Sequence, residues 1–265
     1  MEDVLTETPP PSRFFPEDLD NFASPPPHLP SPFLLLNPNP NPNTNSPLLN
    51  PSLLLIAISA PSLSLLHRTA PKTLVGNLFL PEIPLSGNAA LAPYPRDRSC
   101  NLYAVDRPGS SPAVLAAVQY PVAPERSRAV AKSLLGGVGA ERVLILDAIR
   151  SENYRGRLAV DEALVFKLET AEQRRSGDPV VRGVEFLPSG SVMDGLGAAI
   201  LAECQVRRVK ATLLATWPES GPTSVVPTLS RLFRELGLDV GEIDGKDDSD
   251  AGFGPSFRHD SDLYT

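Results

Sequence analysis

The chain has 265 residues, 42% of them apolar, with 30 prolines and a formal net charge of −7, long enough for one domain with a sizeable core. From Asp239 onward eight Asp or Glu stand against Lys246 and Arg258, so that segment carries −6 of the total, and the near-neutral remainder excludes the basic footprint of a nucleic-acid protein. Cys100 and Cys204 stand far apart with no CxxC or HxxxH spacing, so neither a disulfide framework nor a zinc site is suggested and a reducing compartment fits best.

The first residues, MEDVLTETPPP, are acidic and proline-rich without a basic flank, so they are read neither as a signal peptide nor as a transit peptide. Fourteen prolines fall within the first 51 residues, and NPNPNPNTNSP disfavours both helix and ladder pairing. Residues 1–50 are therefore expected to be a disordered Pro/Asn-rich leader. Its apolar stretches, SRFFPEDLDNF and PFLLL, read as incidental or as short docking segments.

From residue 51 the texture changes. SLLLIAIS, TLVGNLFL, CNLYAV and AVLAAVQY are strand-length apolar runs bounded by Pro, Gly or Ser. The longest run, LLLIAI, is far too short to span a bilayer. PERSRAVAKSLLGG predicts a helix with Pro124 in its first turn, a stripe of Val130, Ala131, Leu134 and Leu135, and Gly136-Gly137 at its end. RVLILDA follows as a strand covered on both faces, so strand, helix and strand imply a parallel pair. DEALVFKLETAEQRR fits both periods, and the alternation of Leu164, Phe166 and Leu168 favours a strand.

SVMDGLGAAILAEC predicts a helix with Ser191 as N-cap and Gly195 and Gly197 permitting close packing. VKATLLATW alternates as a half-buried strand. TSVVPTLSRLFRELG is the clearest amphipathic helix, with Val225, Val226, Leu229, Leu232, Phe233 and Leu236 in one stripe and Gly237 as its stop. That stripe can face the core or a partner; core packing is the ordinary use. The sum is an α/β layered domain over 51–238, with a mostly parallel or mixed central sheet and flanking helices, followed by an acidic flexible tail over 239–265.

Chemistry is sparse along this frame. His28 and His259 fall in the two arms, and His67 follows LSLL at a predicted strand end, where a surface residue is expected rather than a base. The Gly190-Ser191 turn before a helix could cradle an anion. It is neither a nucleophile elbow nor a Walker motif, because the glycine and serine are adjacent and no Gly-Lys-Ser/Thr occurs there. Asp147 ends a buried strand, where α/β sheets gather ligands, but no second catalytic group is placed beside it by spacing. No catalytic residue, cofactor or metal ligand is assigned.

The strings PSLLLIAISAPSLSLLH, TLVGNLFLPEIPLSGN, ERSRAVAKSLLGG, RVLILDAIRSENYRG, DEALVFKLET and LPSGSVMDGLGAAIL resemble the proteasome assembly chaperone 1 family in its plant-like form. The resemblance runs from about Pro51 to Leu238 and returns in the last three residues; it leaves out the leader and the acidic segment. It implies an α/β domain without catalysis, paired with a second, related chaperone subunit and acting on the outer face of the ring of proteasome α subunits; the composition and N-terminus are those of a soluble cytosolic or nuclear protein. It also implies an anchor, a hydrophobic-Tyr-any triplet that enters pockets between α subunits, matched by Leu263, Tyr264 and Thr265. A terminal carboxylate, a flat Tyr264 ring and an apolar Leu263 are separately recognisable groups. The acidic segment then serves as a tether that raises the triplet's effective concentration. The alternative expectation is a nucleoside-phosphorylase-like or hydrolase-like enzyme using the Gly190-Ser191 turn. Neither nucleic acid nor a membrane is an expected partner.

Overall fold

Leu53–Ala57 is apolar at five consecutive positions, a pattern suited only to a strand covered on both faces, and all five are buried. The computed structural model describes residues 29–37, 50–88, 97–107, 110–156, 164–217 and 225–241. Contacts divide the chain into Met1–Pro30 and Ser31–Thr265, and the architecture below belongs to the second unit. Its strands are β1 (Phe33–Leu36), β2 (Leu53–Ala57), β3 (Thr73–Phe79), β4 (Cys100–Arg107), β5 (Ser110–Val118), β6 (Arg142–Ala148), β7 (Leu164–Glu169), β8 (Glu185–Phe186) and β9 (Lys210–Trp217). The helices are α1 (Ala60–Arg68), α2 (Leu85–Asn88), α3 (Pro124–Gly137), α4 (Ala171–Ser176), α5 (Gly195–Val206) and α6 (Val226–Glu235).

The strands form one nine-stranded mixed sheet in the order β1-β3-β4-β5-β2-β6-β9-β7-β8. β5, β2, β6 and β9 run parallel at its centre; β1, β3 and β4 join antiparallel on one side, and β7 joins β9 antiparallel on the other. The strand-helix-strand run from β5 through α3 to β6 is parallel as expected, but its strands are not neighbours. β2 lies between them, with Leu54 opposite Val114 on one side and Val143 on the other. Burying the most continuous apolar run in the centre removes the most side-chain area from water, at about 25 cal/mol per Å².

Alternation along the central strands builds two cores. Leu54, Ile56, Val143, Ile145, Leu213 and Ala215 meet Val130, Leu134, Leu196 and Ile200 of α3 and α5 on one face. Leu53, Leu55, Leu144, Leu146 and Leu214 meet Leu65, Leu66, Leu229 and Phe233 of α1 and α6 on the other. The amphipathic stripe of α6 is therefore core: Leu229, Leu232 and Phe233 are all buried.

Several local expectations change. Phe33–Leu36, placed in the leader by its proline-rich surroundings, forms an edge strand paired with β3. SLSLLH lies in α1 and is not part of a strand end: Ser62, Leu63, Leu65 and Leu66 give it a helical inner face. β9 is not half-buried, because α5 and α6 cover opposite faces and Ala211–Thr216 are all buried. DEALVFKLETAEQRR contains both structures in turn, β7 then α4, with Thr170 accepting from the Gln173 N–H at the junction. α5 begins four residues after Ser191, with Asp194 at its N-cap and Gly195 at φ +67°, a left-handed backbone that favours glycine. Among the described residues no helix is long and apolar enough to cross a membrane.

Candidate functional site

Leu263, Tyr264 and Thr265 lie outside the described residues, as does most of the acidic segment. The root of that segment is described. α6 stops where Gly237 adopts φ +74°; the Gly237 N–H donates to Arg234 O and the Leu238 N–H to Phe233 O, both at 2.9 Å. The chain then runs against the end of α1: Val240 bridges Thr69 antiparallel, and the Ala70 N–H donates to Asp239 O at 3.2 Å. Leu238 and Val240 are 1% and 6% exposed. The segment read as linker from Asp239 is thus attached to the domain through Val240.

Two cations brace this root. Lys72 Nζ donates to Leu66 O at 3.1 Å and Thr69 O at 3.0 Å, and also to His67 O, placing a positive charge at the carbonyl end of α1. It lies 5.6 Å from the centroid of the Tyr103 ring. Burial lowers the Lys72 pKa. Arg107 donates to Leu236 O at 3.4 Å and to Ser52 Oγ at 2.7 Å, joining the end of α6 to the start of β2, and burial lowers its pKa too.

His67 is in the last turn of α1. Burial, then the neighbouring Lys72 charge, pull its pKa down to about 4 against an opposing pull from Asp97. Its Nε2 is buried and has no hydrogen-bond partner. Tyr103 is pushed up to about 12, by burial first and Asp97 second. Near neutral pH His67 and Tyr103 are therefore uncharged, and the cluster clasps three chain segments together.

At the Gly190-Ser191 turn, Gly190 sits at φ +88° and Ser191 Oγ accepts the Arg155 N–H at 2.8 Å. The Val192 N–H donates to Asn153 O, and Asp194 pairs with Arg150 at 3.5 Å. This hydroxyl ties the loop after Ser151–Asn153 to the approach of α5. His67 cannot serve it as a base, since α1 and α5 cover opposite faces of the sheet.

Asp147, at the end of β6, accepts the Ala148 N–H at 2.8 Å through Oδ1, and its Oδ2 lies 2.3 Å from where a Cβ on Gly197 would stand. Its carboxylate therefore rests against the first turn of α5, where negative charge is favoured. Cys100 and Cys204 are buried, and burial pushes both thiols up to about 12, far from a reactive thiolate. Among the described residues no group of His, Cys, Asp and Glu could hold a metal.

The structure thus brings together residues that spacing could not associate: Arg107 and Val240 meet the Thr69–Lys72 stretch, three separate parts of the chain. Only Gly237, as a helix stop, signalled that the chain turns there.

No protein-family model matches the chain, and neither does any curated protein. Solved structures match its fold. An archaeal homolog of proteasome-assembly chaperone, PbaA of Pyrococcus furiosus, is 18% identical with a TM-score of 0.55, over 80% of this chain and 84% of that one. PbaB of the same organism, an archaeal proteasome activator, is 12% identical with a TM-score of 0.55, over 80% and 91%. A protein of unknown function from Thermoplasma acidophilum is 17% identical with a TM-score of 0.51, over 74% and 80%.

Proposed function

We propose that this chain is a non-catalytic chaperone of proteasome core assembly, of the plant-like assembly chaperone 1 type, working in the cytosol or nucleus. It pairs with a second, related chaperone subunit and promotes formation of the α-subunit ring. Leu263, Tyr264 and Thr265 dock into pockets between α subunits. The observation that carries this reading is the terminal Leu-Tyr-Thr on an acidic segment whose root is buttoned to the domain at Val240. The fold shared with PbaA, described as a homolog of proteasome-assembly chaperone, supports it.

About 22 residues separate the anchored root from the triplet, giving a flexible tether a root-mean-square reach of ~25 Å. The folded body and the triplet then bind as two linked contacts, so neither has to be tight alone. Removing Tyr264 and Thr265, or extending the chain beyond Thr265, is expected to weaken capture of purified α subunits about tenfold or more while the unfolding transition stays in place. Unchanged capture after both edits refutes the role given to the triplet.

A further inference from the structure

The two edges of the sheet are guarded differently. β8 is only two residues long, and its Phe186 is flanked by Lys167 Nζ at 4.7 Å and Arg174 at 5.7 Å, the charged, short kind of edge that resists pairing. β1 carries no charged residue anywhere from position 29 to 37. Among the described residues no strand pairs with its outer side.

Its backbone is presented for pairing. The Asn37 N–H donates to Val75 O at 2.8 Å, one step beyond the Leu36–Gly76 pair. Antiparallel alternation then turns the peptide groups of Phe33 and Leu35 toward β3 and those of Leu34 and Leu36 outward. The strand is held in place on one face, where Leu34 packs so closely on Gly137 of α3 that a Cβ there would stand 2.3 Å from Leu34 Cδ2. On the other face Phe33 and Leu35 are 54% and 51% exposed, and Phe33 stacks on Phe79 with ring centroids 5.0 Å apart.

We infer that β1 is a docking edge for an extended, uncharged segment of another protein with apolar side chains at alternate positions. Such a segment adds a tenth strand to the sheet. The outward N–H and C=O groups of Leu34 and Leu36 supply its ladder, and Phe33 and Leu35 supply two apolar contacts. A second copy of the domain fits less well. Half of a Phe and half of a Leu offer ~200 Å², against about 800 Å² per partner in a stable interface between folded domains.

The test uses the full chain and a fluorescent, end-capped peptide alternating Val and Thr, followed by polarisation. Saturable binding is expected, weakened about tenfold or more by Leu35→Lys, which adds a gatekeeping charge at an exposed position. Leu36→Pro, which deletes one outward N–H, should weaken it similarly. A urea transition unchanged in Leu35→Lys separates loss of docking from loss of fold, so that variant decides the matter if the proline chain does not fold. No saturable binding, or equal binding by wild type and Leu35→Lys, overturns the proposal. So does concentration-dependent dimerisation in sedimentation that Leu35→Lys abolishes, since the edge would then belong to a second copy.

Discussion

Gly197→Ala sets two known effects against each other. In an unconstrained helix interior alanine is favoured over glycine by about 1 kcal/mol, so propensity alone makes the substitution stabilising. Here the new Cβ would lie 2.3 Å from Asp147 Oδ2, with Asp147 Cβ and Cγ each at 3.1 Å. Relief requires α5 to shift or Asp147 to rotate away from the Ala148 N–H that it accepts at 2.8 Å. Overpacking typically costs about 1–3 kcal/mol, so after the propensity gain a net loss of up to ~2 kcal/mol is expected in urea denaturation at constant m. Asp147→Ala removes the oxygen and leaves a 3.1 Å contact, which small adjustments can absorb. In that background Gly197→Ala should be neutral or stabilising, giving a coupling energy of about 1 kcal/mol or more. Equal effects in both backgrounds, or stabilisation of the wild type, would refute the argument that Gly197 is required by the Asp147 carboxylate.

His67 gives a pH signature. Its folded pKa of about 4 lies below the ordinary 6.5, so the unfolded chain takes up the proton first and stability falls as pH drops from about 6.5 to 4. Partial exposure keeps the loss below the ceiling of about 1.4 kcal/mol per pH unit, and His67→Asn should flatten that stretch of the stability-pH curve. Phe233→Ala, at a side chain that is 0% exposed in the α6 core, should cost about 3–5 kcal/mol by chemical denaturation. Val240→Asp places a charge at a 6% exposed position and should free the tail root, read as faster amide exchange at Ala70, with a stability loss of about 1–3 kcal/mol. Capture of α subunits should change far less in that variant than after loss of Tyr264 and Thr265, because releasing two residues barely lengthens a tether of this size.

Legibility followed the range of the forces involved. α3 was readable from Pro124 to Gly137 because its start, stripe and stop are local, and the same holds for the α6 stripe and the Gly237 stop. β1 is not legible locally, because four apolar residues among prolines and asparagines carry no evidence of a partner strand; Phe79, Leu78, Asn77 and Gly76 opposite them come 40 or more positions later. The N-cap of α5 was misplaced onto Ser191, since the hydroxyl that looked like a cap is taken by Arg155, 36 positions earlier. His67, expected at a strand end after LSLL, lies in a helix that packing against the sheet selects.

By itself the sequence determined the α/β class, the order of most of the main elements and the buried stripes of α3 and α6, because periodicity, caps and turn residues act within a few positions of the chain. The terminal Leu-Tyr-Thr is likewise legible only there, as a string at the end of an acidic segment. Tertiary structure alone decided that β2 sits between β5 and β6, that an apolar strand from the leader forms the sheet edge, and that the tail root is clasped by Thr69, Lys72 and Arg107. Those outcomes depend on which of several compatible partners buries the most area and satisfies the most backbone groups, a competition decided between segments far apart in the chain.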